Sequence, residues 1–243
     1  MEKLTKDERK ALRKEEWQEE LKKEEQKKLL TKIGWITGSI IAIIVAFWAI
    51  IQFTGSSQDS SKLITKIPQV TNNDLQTGPK NSKVTVLEYA DFQCPGCGAY
   101  HPIVKKILQD FNGKIHFIYR TFPLTNVHQN ALVSAEAAVA AGDQGKFWQM
   151  HDMLFEHQSD WAMTQNPQSI FDGYAEKLGL NLEQFHKDST DPKTKKFIMD
   201  EENAGLSVGI NSTPTFFING KQIESPQSYD AFKQVINDAF NNK

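Results

Sequence analysis

Beyond Cys94 and Cys97 the 243 residues hold no cysteine, and no H-x(3–5)-H pair stands near those two. A complete zinc site is therefore not spelled out: His101 would add one donor and still leave the set short, so no metal is expected there. A basic stripe is missing as well. Residues 55–243 carry 17 basic and 21 acidic side chains, a net of −4, which speaks against a nucleic-acid partner. No cofactor-binding motif is present. Glycine and proline are absent from residues 1–32, where eleven Lys/Arg and nine Asp/Glu alternate. Glu19–Lys23 and Glu24–Lys28 are favourably ordered i,i+4 pairs there, so a solvated helix is expected. Leu4, Leu12, Trp17 and Leu21 do not sustain a heptad, which excludes a regular coiled coil.

One long uncharged run is present. Ile33 to Phe53 is 21 residues without a charge, and about 1.5 Å per residue carries it across roughly 30 Å of hydrocarbon. Trp35, Trp48 and Phe53 lie toward its ends, where interface anchors sit. A cleaved signal peptide is the competing reading, but its apolar core is usually shorter, and Thr54-Gly55-Ser56 is a weak cleavage site. Five lysines (22, 23, 27, 28 and 32) crowd the N-terminal flank, against Lys62 and Lys66 on the other. The positive-inside rule then puts residues 1–32 in the cytoplasm and residues 55–243 outside, where disulfides persist. Residues 54–77 read as a polar linker, with a short ordered piece around Leu63 to Val70, and the C-terminal domain is expected over 78–243.

The cysteines are spaced C-x-x-C. An alternating apolar run, Val84 to Tyr89, leads into them, and Ile103, Val104, Ile107, Leu108 and Phe111 follow at helical spacings. The pair thus falls where a strand ends and a helix begins. Unpaired N–H groups and the positive end of the helix dipole favour an anion at that point, so a thiolate at Cys94 would have a lowered pKa. Pro95 suits the first helical turn, and Cys97 stands one turn on, in reach to close a disulfide. A structural disulfide is disfavoured because so short a loop constrains the unfolded chain little. Two unreactive buried thiols remain the plain alternative.

The remaining pattern is a strand over 115–121 and a helical block over about 127–207. In that block Ala131, Leu132, Ala135, Ala138 and Val139 share a face and Gly142 is the expected stop. Strands at Thr215 to Ile218 and Lys221 to Glu224 flank an Asn219-Gly220 hairpin turn, and Ser228 caps a last amphipathic helix. Strands on both sides of a helical block predict an α/β sheet with an all-helical insertion, preceded by a single transmembrane helix.

Gly78-Pro79, the run from Val84 to Cys97, and Ser212-Thr213-Pro214-Thr215-Phe216 together resemble the DsbA-like thiol-disulfide oxidoreductases of the thioredoxin superfamily, over roughly residues 78–240. The resemblance implies a thioredoxin-like fold, a cis Pro214 facing the Cys94–Cys97 pair, and a Thr213 backbone that pairs with an extended substrate. It also implies a buried acid at Glu88, placed to relay a proton to Cys97. A surface glutamate is the alternative, although alternation aligns Glu88 with Val84 and Val86. Pro95-Gly96 departs from the Pro-His of the strongly oxidising prototype. The lowered pKa then rests on the helix end and backbone N–H groups alone, with His101 read as a partly exposed helix residue.

The activity so implied is oxidation of reduced exported proteins through Cys94, taken as the exposed sulfur, with recharging by a quinone-linked membrane oxidase and no bound cofactor. A reductase or isomerase on the same fold, a non-catalytic tethered peptide-binding module at the Thr213–Pro214 groove, and a glutathione-dependent enzyme are the alternatives.

Overall fold

A computed structural model describes residues 67–241. The charged segment 1–32, the run 33–53 expected to cross a membrane and the expected linker as far as residue 66 lie outside the described residues. Among those described, no helix is long and apolar enough to cross a membrane.

Five strands form one mixed sheet in the order β1-β3-β2-β4-β5. The strands are β1 (Leu75–Thr77), β2 (Val84–Ala90), β3 (Ile115–Thr121), β4 (Thr215–Ile218) and β5 (Lys221–Ile223). β2 and β3 are parallel, as their connection through helix α1 (Pro95–Asp110) requires, and the other three pairings are antiparallel. β2 lies in the centre because both its faces are apolar. Val84, Val86 and Ala90 enter the main core with Val104, Ile107, Phe232 and Ile236, while Leu87 and Tyr89 join Ile118, Phe122 and Phe217 on the other face. The remaining helices are α2 (Ala131–Asp143), α3 (Phe147–Glu156), α4 (Gln158–Trp161), α5 (Gln168–Lys177), α6 (Leu182–Ser189), α7 (Pro192–Ser207) and α8 (Tyr229–Asn241). The all-helical insertion is thus α2 to α7. Residues 127–130, expected to be helical, instead form a turn with Val127 exposed.

Several local expectations hold. Ser228 Oγ accepts the Ala231 N–H at 3.2 Å, capping α8. Asn219 and Gly220 both take positive φ, the requirement of a tight hairpin turn. One expectation in α2 needs correction. The helix does not stop at Gly142 but at Gly145, whose φ of +76° closes the end. The Gly145 N–H bonds to Gly142 O and the Lys146 N–H to Ala141 O, both at 2.8 Å, which is the Schellman pattern. The expected apolar face of α2 packs into the core, and Ala137, Ala140 and Ala141 are buried too, because α3, α6 and α7 pack around a helix of small side chains.

The domain also begins earlier than residue 78. β1, assigned above to the linker, pairs with β3, and Ile67 and Val70 pack on the second core cluster. A three-residue strand is too short to show alternation in sequence. A buried ion pair holds this segment in place. Arg120 Nε donates to Asp74 Oδ1 at 2.7 Å, and its other nitrogens donate to Pro68 O, Gln69 O and Tyr89 Oη. Both side chains of the pair are almost fully enclosed. Removing one partner leaves an uncompensated charge in the interior. Asp74→Ala is therefore expected to cost about 3–5 kcal/mol, read as a lower midpoint in urea unfolding, whereas the exposed pair Lys196–Asp200 should give under about 1 kcal/mol on the same replacement.

Candidate active site

The loop from Asp91 to Cys94 leaves the C-terminal end of β2 and delivers Cys94 to the N-cap of α1, with extended backbone (φ −66°, ψ 122°). Three side chains lock it. Asp91 accepts the Gln93 N–H at 2.7 Å and the Leu124 N–H at 2.9 Å, and its Oδ2 lies 2.7 Å from His128 Nδ1. Gln93 reaches into the insertion, donating to Ala162 O and accepting the Asn130 N–H. Gln158 of α4 donates to the carbonyls of Phe92, at 2.6 Å, and Cys94, at 3.0 Å. A Cβ at position 98 would lie 2.6 Å from Gln158 Oε1, so glycine leaves room for that approach.

Both cysteines are thiols here. Cys94 is not the exposed sulfur expected from sequence. The residue is 8% exposed and Cys97 1%, so Cys94 is the more accessible of two buried groups. Their acidities diverge sharply. Cys94 is lowered to about 5, first by a hydrogen bond from the Cys97 thiol, against partial burial, and further by the Thr213 side chain and the backbone N–H groups of Cys97 and Gly96. Cys97 is raised well above the usual thiol value by burial, by its hydrogen bond to Cys94, by the negative charge of Cys94 and, once its carboxyl has ionised, by Glu88. The sequence reading credited the helix end and backbone alone; the largest contribution is in fact the neighbouring thiol. In its neutral form Cys94 Sγ also stands 3.5 Å from Thr213 O as donor.

Pro214 comes to the site from the far end of the chain. The Thr213–Pro214 peptide is cis. A Cβ built on Gly96 would meet Cys94 Sγ and Pro214 Cδ, each at 3.5 Å, and Thr213 O at 3.7 Å. Gly96 thus sits between the sulfur and the proline ring. Pro95 beside it is exposed, and Thr213 and Pro214 are half-buried, so the groove between them is open to solvent.

Glu88 is buried, opposite Tyr119 of β3 and Phe216 of β4. Burial raises its carboxyl from 4.5 to about 8, so it keeps its proton at neutral pH. Its electrostatic influence, once it is ionised, reaches Cys97. His101 is placed differently from expectation. It is 5% exposed, turned to α3, with its ring stacked on Phe155 and set edge-on to His151. Sequence reasoning assigned no role to Gln93, Asn130, His128 or Gln158. The only available signal was Asp91, an acid closing an apolar strand three residues before a cysteine.

A family model described as thioredoxin matches residues 70–238. Among curated proteins, the Na(+)/H(+) antiporter NhaA 1 of Salinispora arenicola is 41% identical over 175 residues, which is 72% of this chain and 26% of that protein. The chain thus spans about a quarter of the length of the curated relatives it matches. Among solved structures, oxidised BdbD from Bacillus subtilis superposes with a TM-score of 0.66 at 22% identity, over 74% of this chain and 99% of that one. Alpha-DsbA1 from Wolbachia pipientis gives 0.64 at 21%, over 72% and 94%. At such identity these structures speak for the fold.

Two outcomes are expected. Iodoacetamide should alkylate Cys94 quickly at pH 7, with the rate halving near pH 5, while Cys97 stays slow throughout; a Cys94 midpoint near 9 would contradict the geometry. Glu88 has a raised folded pKa, so unfolding releases its proton between about 4.5 and 8, and its contribution opposes folding increasingly across that window. Glu88→Gln should therefore leave stability unchanged below pH 4.5 and raise it by about 1–3 kcal/mol at pH 7, measured by urea unfolding at each pH.

Proposed function

Since the chain belongs to the thioredoxin family, we propose that it is a thiol-disulfide oxidoreductase that oxidises pairs of thiols in exported proteins. The observation that carries this reading is the split between the two sulfurs: one held as a thiolate beside a cis proline, the other protonated and buried. Such a split stabilises the reduced pair relative to the disulfide, which makes the disulfide a good electron acceptor.

The steps follow from that placement. In the oxidised protein a substrate thiolate attacks Cys94 Sγ, the more accessible sulfur. The Cys94–Cys97 bond breaks, a mixed disulfide forms, and Cys97 leaves as a thiolate. Glu88, still protonated at neutral pH, is placed to give Cys97 its proton and take it back on reoxidation. A second substrate thiolate then attacks the substrate sulfur of the mixed disulfide and expels Cys94. Cys94 is a good leaving group because its thiolate is already stabilised. The substrate gains one disulfide and the protein gains two electrons and the dithiol state. Thr213, preceding the cis proline, offers its backbone to an extended substrate segment, and the exposed side chains of Val127 and Met163 stand on loops tied to the Cys94 loop.

The setting we propose is extracytoplasmic. The domain would be tethered by a membrane-spanning segment over residues 33–53, with residues 1–32 on the cytoplasmic side, and recharged by a quinone-linked membrane oxidase. The uncharged run and its lysine-rich flank support this topology. Gly96 supplies no side chain to the thiolate, which supports a potential less extreme than that of the strongest oxidants.

The full chain should accelerate oxidative refolding of a reduced, multi-cysteine protein in glutathione buffer, and Cys94→Ser should abolish the effect. Equilibrium with glutathione should give a potential between about −120 and −230 mV. A value near −270 mV would assign the protein to reduction instead, and undiminished activity in Cys94→Ser would end the proposal.

A further inference from the structure

Away from the cysteine pair, α1 and α3 bring three donor groups together that sequence spacing did not connect. His101 Nε2 lies 3.7 Å from Asp152 Oδ1, and His151 Nδ1 lies 3.1 Å from the same oxygen. One donor atom from each of the three side chains lies within 4.8 Å of the others. A tetrahedral ion with bonds of about 2.0–2.2 Å to nitrogen and oxygen sets its donors about 3.3–3.5 Å apart. The two spacings to Asp152 Oδ1, 3.1 and 3.7 Å, bracket that value. A fourth candidate, Glu156 Oε1, is 3.9 Å from His101 Nε2.

We propose that His101, His151 and Asp152 form a binding site for a divalent metal ion, Zn²⁺ by the chemistry of its donors, bridging α1 to α3.

Two further observations support the site. Both histidines are buried, at 5% and 2% exposure, and His101 Nε2 and His151 Nε2 have no hydrogen-bond partner. Leaving a buried nitrogen without a partner is unfavourable, and a metal bond at His101 Nε2 removes that penalty. The site opens into a cavity of about 370 Å³ lined also by Lys105, Val104 and Trp148, so an ion has a route in.

Lys105 does not compete for the central oxygen. Its Nζ bonds Asp152 Oδ2 at 2.9 Å and Glu156 Oε1 at 2.5 Å, whereas the imidazoles face Oδ1. Asp152 can therefore give one oxygen to a metal and keep the other on Lys105, the arrangement in which a second contact orients a ligating carboxylate. With neutral imidazoles, the two carboxylates and one ammonium sum to a single negative charge, which favours a cation. Mixed imidazole and carboxylate donors suit Zn²⁺ rather than Mg²⁺ or Ca²⁺.

The test uses the full chain carrying Cys94→Ser and Cys97→Ser, so that no thiolate takes the metal. Zn²⁺ is titrated against a chromophoric chelator, and Co²⁺ is added separately for its visible spectrum. One Zn²⁺ per chain is expected, with intense four-coordinate Co²⁺ bands and a melting temperature raised by Zn²⁺. His101→Gln and Asp152→Asn should each weaken binding by about 10–100-fold or more and remove the rise in melting temperature. Should His101→Gln fail to fold, Asp152→Asn, whose side chain is 35% exposed, serves alone. Absence of Zn²⁺ uptake at about 100 µM by the cysteine-free chain, or uptake that neither variant changes, overturns the proposal.

Discussion

The unequal surroundings of two neighbouring sulfurs govern the chemistry of this site. Cys94 is lowered and Cys97 raised, each partly through the other, so the pair behaves as one unit. Much of the fold serves to keep that arrangement asymmetric. Cys97 is pressed into the core, where charge is costly, and Cys94 is held at the head of α1, where backbone N–H groups face it. Were the two sulfurs equally buried or equally open, neither would be preferred as thiolate.

The helical insertion belongs to the site rather than decorating it. Gln158 reaches the carbonyls of Phe92 and Cys94, and Asn130 and Ala162 engage Gln93. The strand-to-helix corner is thus fastened from outside the sheet by residues far along the chain. Parallel pairing of β2 and β3 fixes where α1 begins, and these side chains fix how the corner before it is shaped. The cis proline completes the enclosure from β4, which is paired with β2 on its other edge.

Strong local signals made part of this legible in sequence. The alternation in Val84 to Tyr89, the C-x-x-C at its end and the Asn219-Gly220 turn each follow from short-range physics, and the structure places each as expected. Burial of Glu88 was also readable, since it shares a face with Val84 and Val86. What escaped depends on distant partners. β1 is three residues long and exists because β3 offers it an edge. Gly142 read as the stop, and only the backbone shows that Gly145, three residues on, closes the helix. Periodicity cannot tell a half-exposed helical histidine from one stacked under a second helix, so His101 was misplaced. For the same reason its proximity to His151 and Asp152, fifty residues away, had no one-dimensional trace.

The Arg120 cluster has a mechanical corollary. Arg120 grips Asp74 together with the carbonyls of Pro68 and Gln69, and β1 runs antiparallel along β3 immediately afterwards. Tension applied through the chain from its N-terminal side would be borne first by this stitch and by the outer ladder of the sheet. The stitch meets the central strand through the bond from Arg120 to the Tyr89 hydroxyl, and neither the stitch nor the ladder lies on α1 or β4, the elements that carry or adjoin the sulfurs and the proline. The working parts are largely shielded from traction, as a lamp is when its cord is clamped at the base.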